Sequence, residues 1–227
     1  DFFNPAAAYS AAVEVERNIN SARARLANAI HAQSDEIIYT SGGTESNNTA
    51  IFGALRARRG GGRIIVGATE HPSVYEAVLS MKGPYAINEA RVDKTGAYDV
   101  NMLAQSIAND VAFVSVMQVN NETGALLDVA RLHALVNGRA LIHVDGVQGF
   151  MRVPIDLKYV DLYTLSGHKI HAPKGTGALA WRKNVRIAPR QIGGGQEGGL
   201  RSGTENTPGI AGLMAAVRAM LDMGPEM

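Results

Sequence analysis

The chain has 227 residues, 46% hydrophobic and 19% charged, with 22 basic against 21 acidic side chains and a formal net charge of +1. A chain of this size buries a substantial core, and so balanced a charge gives no reason to expect nucleic acid or an anionic membrane as partner. It holds no cysteine, which excludes disulfides, thiolate metal sites and a cysteine nucleophile within these residues.

No apolar run reaches membrane-spanning length. The start, Asp1-Phe2-Phe3-Asn4-Pro5, lacks the basic-then-apolar order of a secretory leader, so the expectation is cytoplasmic. Ala-rich residues 6–31, with Val13, Ile19, Leu26 and Ile30 available for one face, predict a long helix. Residues 36–40 predict a strand, 44–58 a helix, 63–66 a strand and 71–82 a helix. There follow a strand at 85–90, a helix at 99–108, a strand at 111–117, a helix at 128–137 and a strand at 140–144. Two more strands are predicted at 161–165 and 177–181, and a helix at 207–222 closes the chain. Arg56-Ala57-Arg58-Arg59 reads as a solvated helix end. There is no internal repeat or linker, and Gly193–Gly199 is the best candidate for a mobile loop.

This alternation argues an α/β fold, a mostly parallel sheet with helices on both faces. The strands around Ile64, Val111 and Leu141 are unbroken apolar runs, as strands covered on both sides require. In such sheets ligands sit beyond the carboxyl ends of the strands. The polar clusters fall there: Ser41–Asn48, Glu70-His71, Asn120–Gly124, Asp145–Gln148 and Ser166–Lys169.

Each cluster has its own chemistry. Thr40-Ser41-Gly42-Gly43-Thr44 is a strand–loop–helix junction whose glycines let backbone N–H groups approach an anion, although Ser41 or Thr44 could equally make an ordinary helix cap. It is neither a Walker loop nor a G-x-G-x-x-G fingerprint. His71 could stack on an aromatic ring or move protons, or be a helix-entry histidine before Pro72. Asn120–Gly124 could supply amide donors to a ligand oxygen or be a simple turn, Gln148 could reach the same ring as Asp145, and His168 could donate to phosphate or be a satisfied buried histidine. Lys169, at a strand end among small residues, suits an amine that condenses with an aldehyde. Paired with Asp145, it matches what pyridoxal phosphate chemistry needs: a Schiff-base lysine and an acid for the pyridine nitrogen. His31, His133 and His143 read as structural or exposed, and no spacing suggests a metal site.

Six segments carry a resemblance: 40–48 (Thr-Ser-Gly-Gly-Thr-Glu-Ser-Asn-Asn), 70–74 (Glu-His-Pro-Ser-Val), 119–124 (Val-Asn-Asn-Glu-Thr-Gly), 143–148 (His-Val-Asp-Gly-Val-Gln), 166–175 (Ser-Gly-His-Lys-Ile-His-Ala-Pro-Lys-Gly) and 193–206 (Gly-Gly-Gly-Gln-Glu-Gly-Gly-Leu-Arg-Ser-Gly-Thr-Glu-Asn). In this order they resemble the pyridoxal 5'-phosphate-dependent cysteine desulfurases of the class V aminotransferase superfamily, and they span nearly the whole chain. The resemblance implies the large domain of fold-type I enzymes over residues 1–227, without the N-terminal segment and the C-terminal small domain. It implies that Lys169 carries the cofactor as a Schiff base, with Lys174 its nearest rival, and that Asp145 pairs with the pyridine nitrogen. His71 would stack on the ring; Asn121 and Gln148 would contact its hydroxyl oxygen; Gly43, Thr44, Ser166 and His168 would hold the phosphate. Thr204 would reach the phosphate of a second subunit, giving a homodimer with shared sites. The implied reaction takes sulfur from L-cysteine, leaves L-alanine and hands a persulfide to a sulfur-acceptor protein for iron–sulfur cluster assembly or tRNA thiolation. The family's nucleophilic cysteine and carboxylate-binding arginine belong to a C-terminal region with no match here. The alternatives are a selenocysteine lyase, a class V aminotransferase or a non-catalytic scaffold of the same fold.

Overall fold

The computed structural model describes residues 3–223 except Ala6, Ala8 and Arg59. Its strands are β1 Ile37–Thr40, β2 Gly62–Gly67, β3 Tyr85–Ala90, β4 Val111–Met117, β5 Leu141–Asp145, β6 Leu162–Ser166 and β7 Gly177–Trp181. They form one sheet in the order β1-β7-β6-β5-β4-β2-β3. Only β7 runs against its neighbours β1 and β6; the other pairs are parallel. The helices are α1 Ser10–Asn28, α2 Gly43–Ala57, α3 Pro72–Leu79, α4 Val100–Gln105, α5 Val129–Val136 and α6 Thr207–Met223.

Alternation along the strands divides the core into two layers. Ile65, Val114, Ile142, Val144, Tyr163 and Leu165 pack with α1, α4, α5 and α6, whereas Ile64, Val66, Phe113, Leu162 and Leu179 pack with α2 and α3. The middle strands are buried along both faces, which is why they read as unbroken apolar runs.

The predicted elements are all present, and the differences lie at their ends. The first helix, expected over 6–31, begins at Ser10, after Tyr9 takes extended backbone and turns its ring edge onto Phe3. It closes in a Schellman turn: Ala32 N–H donates to the Ala27 carbonyl and His31 N–H to that of Asn28. His31 sits at the left-handed position, φ 54°, where glycine is usual. Two helices stop early because serines bond back into the last turn: Ser80 Oγ donates to the Ala77 carbonyl and Ser106 Oγ to that of Leu103. β5 and β6 each end one residue later than expected, at Asp145 and Ser166.

Candidate cofactor-binding site

Five of the parallel strands' carboxyl ends open on a cavity of about 270 Å³, lined by Gly43, Thr44, Asn47, His71, Ser73, Met117, Asn121, Asp145, Val147, Gln148, Ser166, His168 and Lys169. The structure therefore brings together nine of the ten residues singled out from the sequence. The tenth, Thr204, is exposed and lines a second hollow with Tyr39, Ser41, Arg201 and Glu205.

One wall is the junction between β1 and α2. Gly42 holds φ 146°, open to glycine alone, so the chain can turn straight into the helix. The first N–H groups of α2, from Gly43 onward, have no partner within the helix and are oriented for an anion. A Cβ on Gly43 would stand 2.8 Å from Val147 Cγ2, so any side chain there would close the cradle. Behind it the β7 backbone packs tightly: a Cβ on Gly177 would lie 2.6 Å from Gly42 Cα. Buried Ser166 shares a 2.8 Å hydrogen bond with His168 Nδ1. Burial, followed by the charges of Lys169 and Lys174, holds the His168 imidazole below its ordinary pKa.

The cavity's acidic group comes from the end of β5. Asp145, the last residue of β5, is 3% exposed. Its Oδ1 accepts from Val147 N–H at 3.0 Å and its Oδ2 from Asn47 Nδ2 at 2.8 Å. Burial pushes its carboxyl up, against the opposing pull of Val147, Asn47 and the nearby His71. Asn47 also donates to Ser73 Oγ at 2.9 Å, and Ser73 N–H donates to His71 Nδ1 at 3.1 Å. His71 is thus the cap of α3, with Pro72 at the first helical position. An Nδ1 that accepts leaves the neutral ring's proton on Nε2. Asn121 stands on the turn after β4, where Asn120 Oδ1 accepts from the N–H groups of Glu122 and Thr123 at 2.9 Å each.

Three residues without an assigned role prove to shape the site. Asn47 and Ser73 link Asp145 to His71; their signal was that both fall within motif segments, on helices that start at the strand ends. Glu70 is buried, with Tyr98 Oη donating to its Oε1 at 3.3 Å and its Oε2 unpartnered. Burial and then the Asp145 charge lift its carboxyl well above the usual range. Glycine-rich 193–199, expected to be mobile, is tied down at Glu197: Arg23 Nη1 and Nη2 donate to its two carboxylate oxygens at 2.6 and 2.9 Å, and Tyr39 N–H donates at 3.0 Å.

A Lys and an Asp that line one cavity beside an anion cradle coincide with a match over the chain: the aminotransferase class-V pattern covers residues 4–226. The chain belongs to the aminotransferase class-V family. It is 41% identical over 221 residues to a cysteine desulfurase of Gluconacetobacter diazotrophicus, covering 95% of this chain and 55% of that protein. It is also 41% identical to the cysteine desulfurase NifS of Azotobacter vinelandii, covering 99% and 58% respectively. A solved structure described as a NifS-like protein superposes with a TM-score of 0.92 at 36% identity, covering 97% of this chain and 62% of that one. The chain thus spans little more than half the length of these curated relatives.

The family's cofactor is pyridoxal 5'-phosphate, and the cavity fits it. The fit rests on the cradle that a Cβ at Gly43 would fill, on unpaired helix-start N–H groups for a phosphate, and on a buried carboxylate and a lysine that line the same cavity. No group of three or more His, Asp or Glu side chains able to hold a metal occurs among the described residues. No described helix is long and apolar enough to cross a membrane.

Proposed function

We propose that this chain is the cofactor-bearing part of a cysteine desulfurase, which takes sulfur from L-cysteine and leaves L-alanine. The observation that carries the reading is that Lys169 and Asp145 line one cavity together with the Gly43 cradle. The similarity to named cysteine desulfurases supports the choice of reaction. When bound, pyridoxal phosphate supplies an electron sink for the bond broken at the substrate Cα.

The chain's own residues do the rest. Gly43, Thr44, Ser166 and His168 would hold the phosphate. Asp145, held by Asn47 and Val147, accepts a hydrogen bond from the protonated ring nitrogen and keeps that proton in place. His71 covers the ring face, oriented by Ser73, and Asn121 and Gln148 reach its hydroxyl oxygen. Lys169 Nζ anchors the cofactor, then takes the proton from the substrate Cα and returns one at the end. A thiolate accepts the sulfur: the substrate C–S bond breaks, an S–S bond forms, and the carbon is protonated to alanine. With no cysteine in these residues, that thiol comes from outside them. We further propose a cytoplasmic homodimer in which Thr204 completes the phosphate site of the second copy, and a separate sulfur-acceptor protein.

The test is a visible absorption spectrum of the purified chain with pyridoxal phosphate, beside Lys169→Ala. A yellow band present in the parent and lost in the variant is the expected result. A parent without the band, or a variant that keeps it, sinks the assignment.

A further inference from the structure

Arg152 takes no part in the chemistry above, yet it joins the two segments that carry Lys169 and Gln148. The chain leaves β5 in a compact double turn: Phe150 N–H donates to the Gly146 carbonyl at 2.7 Å, and the N–H groups of Arg152 and Val153 donate to that of Gly149 at 2.9 Å. Phe150, fully buried, anchors this turn in the core. Gly146 is required because a Cβ there would overlap the Tyr163 ring. Met151 adopts φ 62°, a conformation uncommon for a residue with a side chain. The turn thereby points Arg152 back toward the cavity rim. Its Nη1 donates to the Gln148 carbonyl at 3.4 Å, and its Nη2 donates to the Lys169 carbonyl.

The Lys169 carbonyl needs such a donor. Lys169 lies in a single 3-10 turn, Gly167–Ile170, which ends at His171 with φ 67°. Within that turn the Gly167 carbonyl accepts from His171 and Ala172 N–H groups, leaving the Lys169 carbonyl to a group from elsewhere. A planar guanidinium with several fixed N–H groups can span two carbonyls; an ammonium on a flexible stem cannot hold the same fork.

We infer that Arg152 is a positioning residue for Lys169: it fixes the lysine's backbone to the Gln148 turn and so aims Nζ at one point in the cavity. The inference rests on the proposed cofactor reading. It predicts which amine reacts, and Lys174, five residues on in the same loop, is the competitor.

The experiment incubates the chain with pyridoxal phosphate, reduces the imine with borohydride and locates the label by peptide mass spectrometry. Parent, Arg152→Met and Arg152→Lys are compared. In the parent, label on Lys169 in large excess over Lys174 is expected. Loss of a charge-assisted fork should cut that ratio about tenfold in Arg152→Met. Arg152→Lys, which keeps the charge without the fork, should fall between. The visible circular dichroism of the bound cofactor should drop in step, with an unchanged thermal midpoint showing that the fold is intact, since Arg152 is exposed. An Arg152→Met variant with the parental ratio and dichroism overturns the inference and leaves the cofactor reading standing. Parent label away from Lys169 overturns both.

Discussion

His143 and Asp145 lie two residues apart on β5 and face the same side of the sheet, yet they serve opposite ends. His143 is sealed: Nδ1 pairs with Ser115 Oγ at 2.8 Å, Nε2 with Thr164 Oγ1 at 3.1 Å, and Phe113 stacks on the ring. Every polar atom of the imidazole is used, and burial lowers its pKa to about 3. Asp145, one pleat nearer the rim, lines the cavity, and its two carboxylate oxygens hold α2 and the following turn in register. Depth along one strand separates a polar group that builds the sheet from one available to a ligand.

The largest effect that could break this contrast is acid instability. Folded His143 stays neutral down to about pH 3, whereas unfolded histidine takes a proton near 6.5. Stability is therefore lost as pH falls below 6.5, by about 1.4 kcal/mol per unit and at most roughly 5 kcal/mol in total. The raised carboxyls of Glu70, Asp145 and Asp161 act the other way, their contribution being full in acid and lost as pH rises through their folded values. His143→Gln isolates the first term. Between pH 7 and pH 5 the parent should lose about 2 kcal/mol more than the variant in urea unfolding. Equal losses would mean that the interior histidine does titrate.

A smaller effect sharpens the rim side. Asp145→Asn keeps the volume but replaces one acceptor by an amide, so a buried donor at Asn47 or Val147 meets a donor. That should cost about 1–3 kcal/mol of stability. Pyridoxal phosphate binding, followed by equilibrium dialysis, should weaken about tenfold or more through loss of the charged partner for the ring nitrogen. Unchanged affinity would place Asp145 with His143, as architecture only.

The same contrast explains what could be read in advance. Strands buried on both faces announce themselves as apolar runs, and the cavity residues follow them, because a polar residue directly after such a run must lie at the rim. The reversed direction of β7 was legible only in loop length: Gly177–Trp181 looks like its neighbours, and the one sign of reversal is a connection, 167–176, too short for a parallel crossover. Asn47 sits inside α2, where only packing of that helix over β5 turns it toward Asp145. The Glu70 carboxyl is pushed up because Tyr98 and the β2 end enclose it, a contact from distant sequence. Arg152 carried no signal at all, since its reach depends on a tight turn after β5.

The smallest prediction uses the end of the sheet opposite the cavity, where α1 gives way to β1. His31 closes the Schellman turn at φ 54° with its side chain exposed. A side chain in left-handed backbone costs about 1–2 kcal/mol, part of which glycine returns through its greater freedom when unfolded. His31→Gly should therefore raise stability by about 0.5–1 kcal/mol, read as a higher urea midpoint with an unchanged slope. Because the turn lies at the strand end away from the cavity, pyridoxal phosphate affinity should stay at the parental value. A gain in stability accompanied by weaker binding would show that the far end of the sheet and the rim are mechanically coupled, and the division between building residues and ligand residues would then not be one of depth alone.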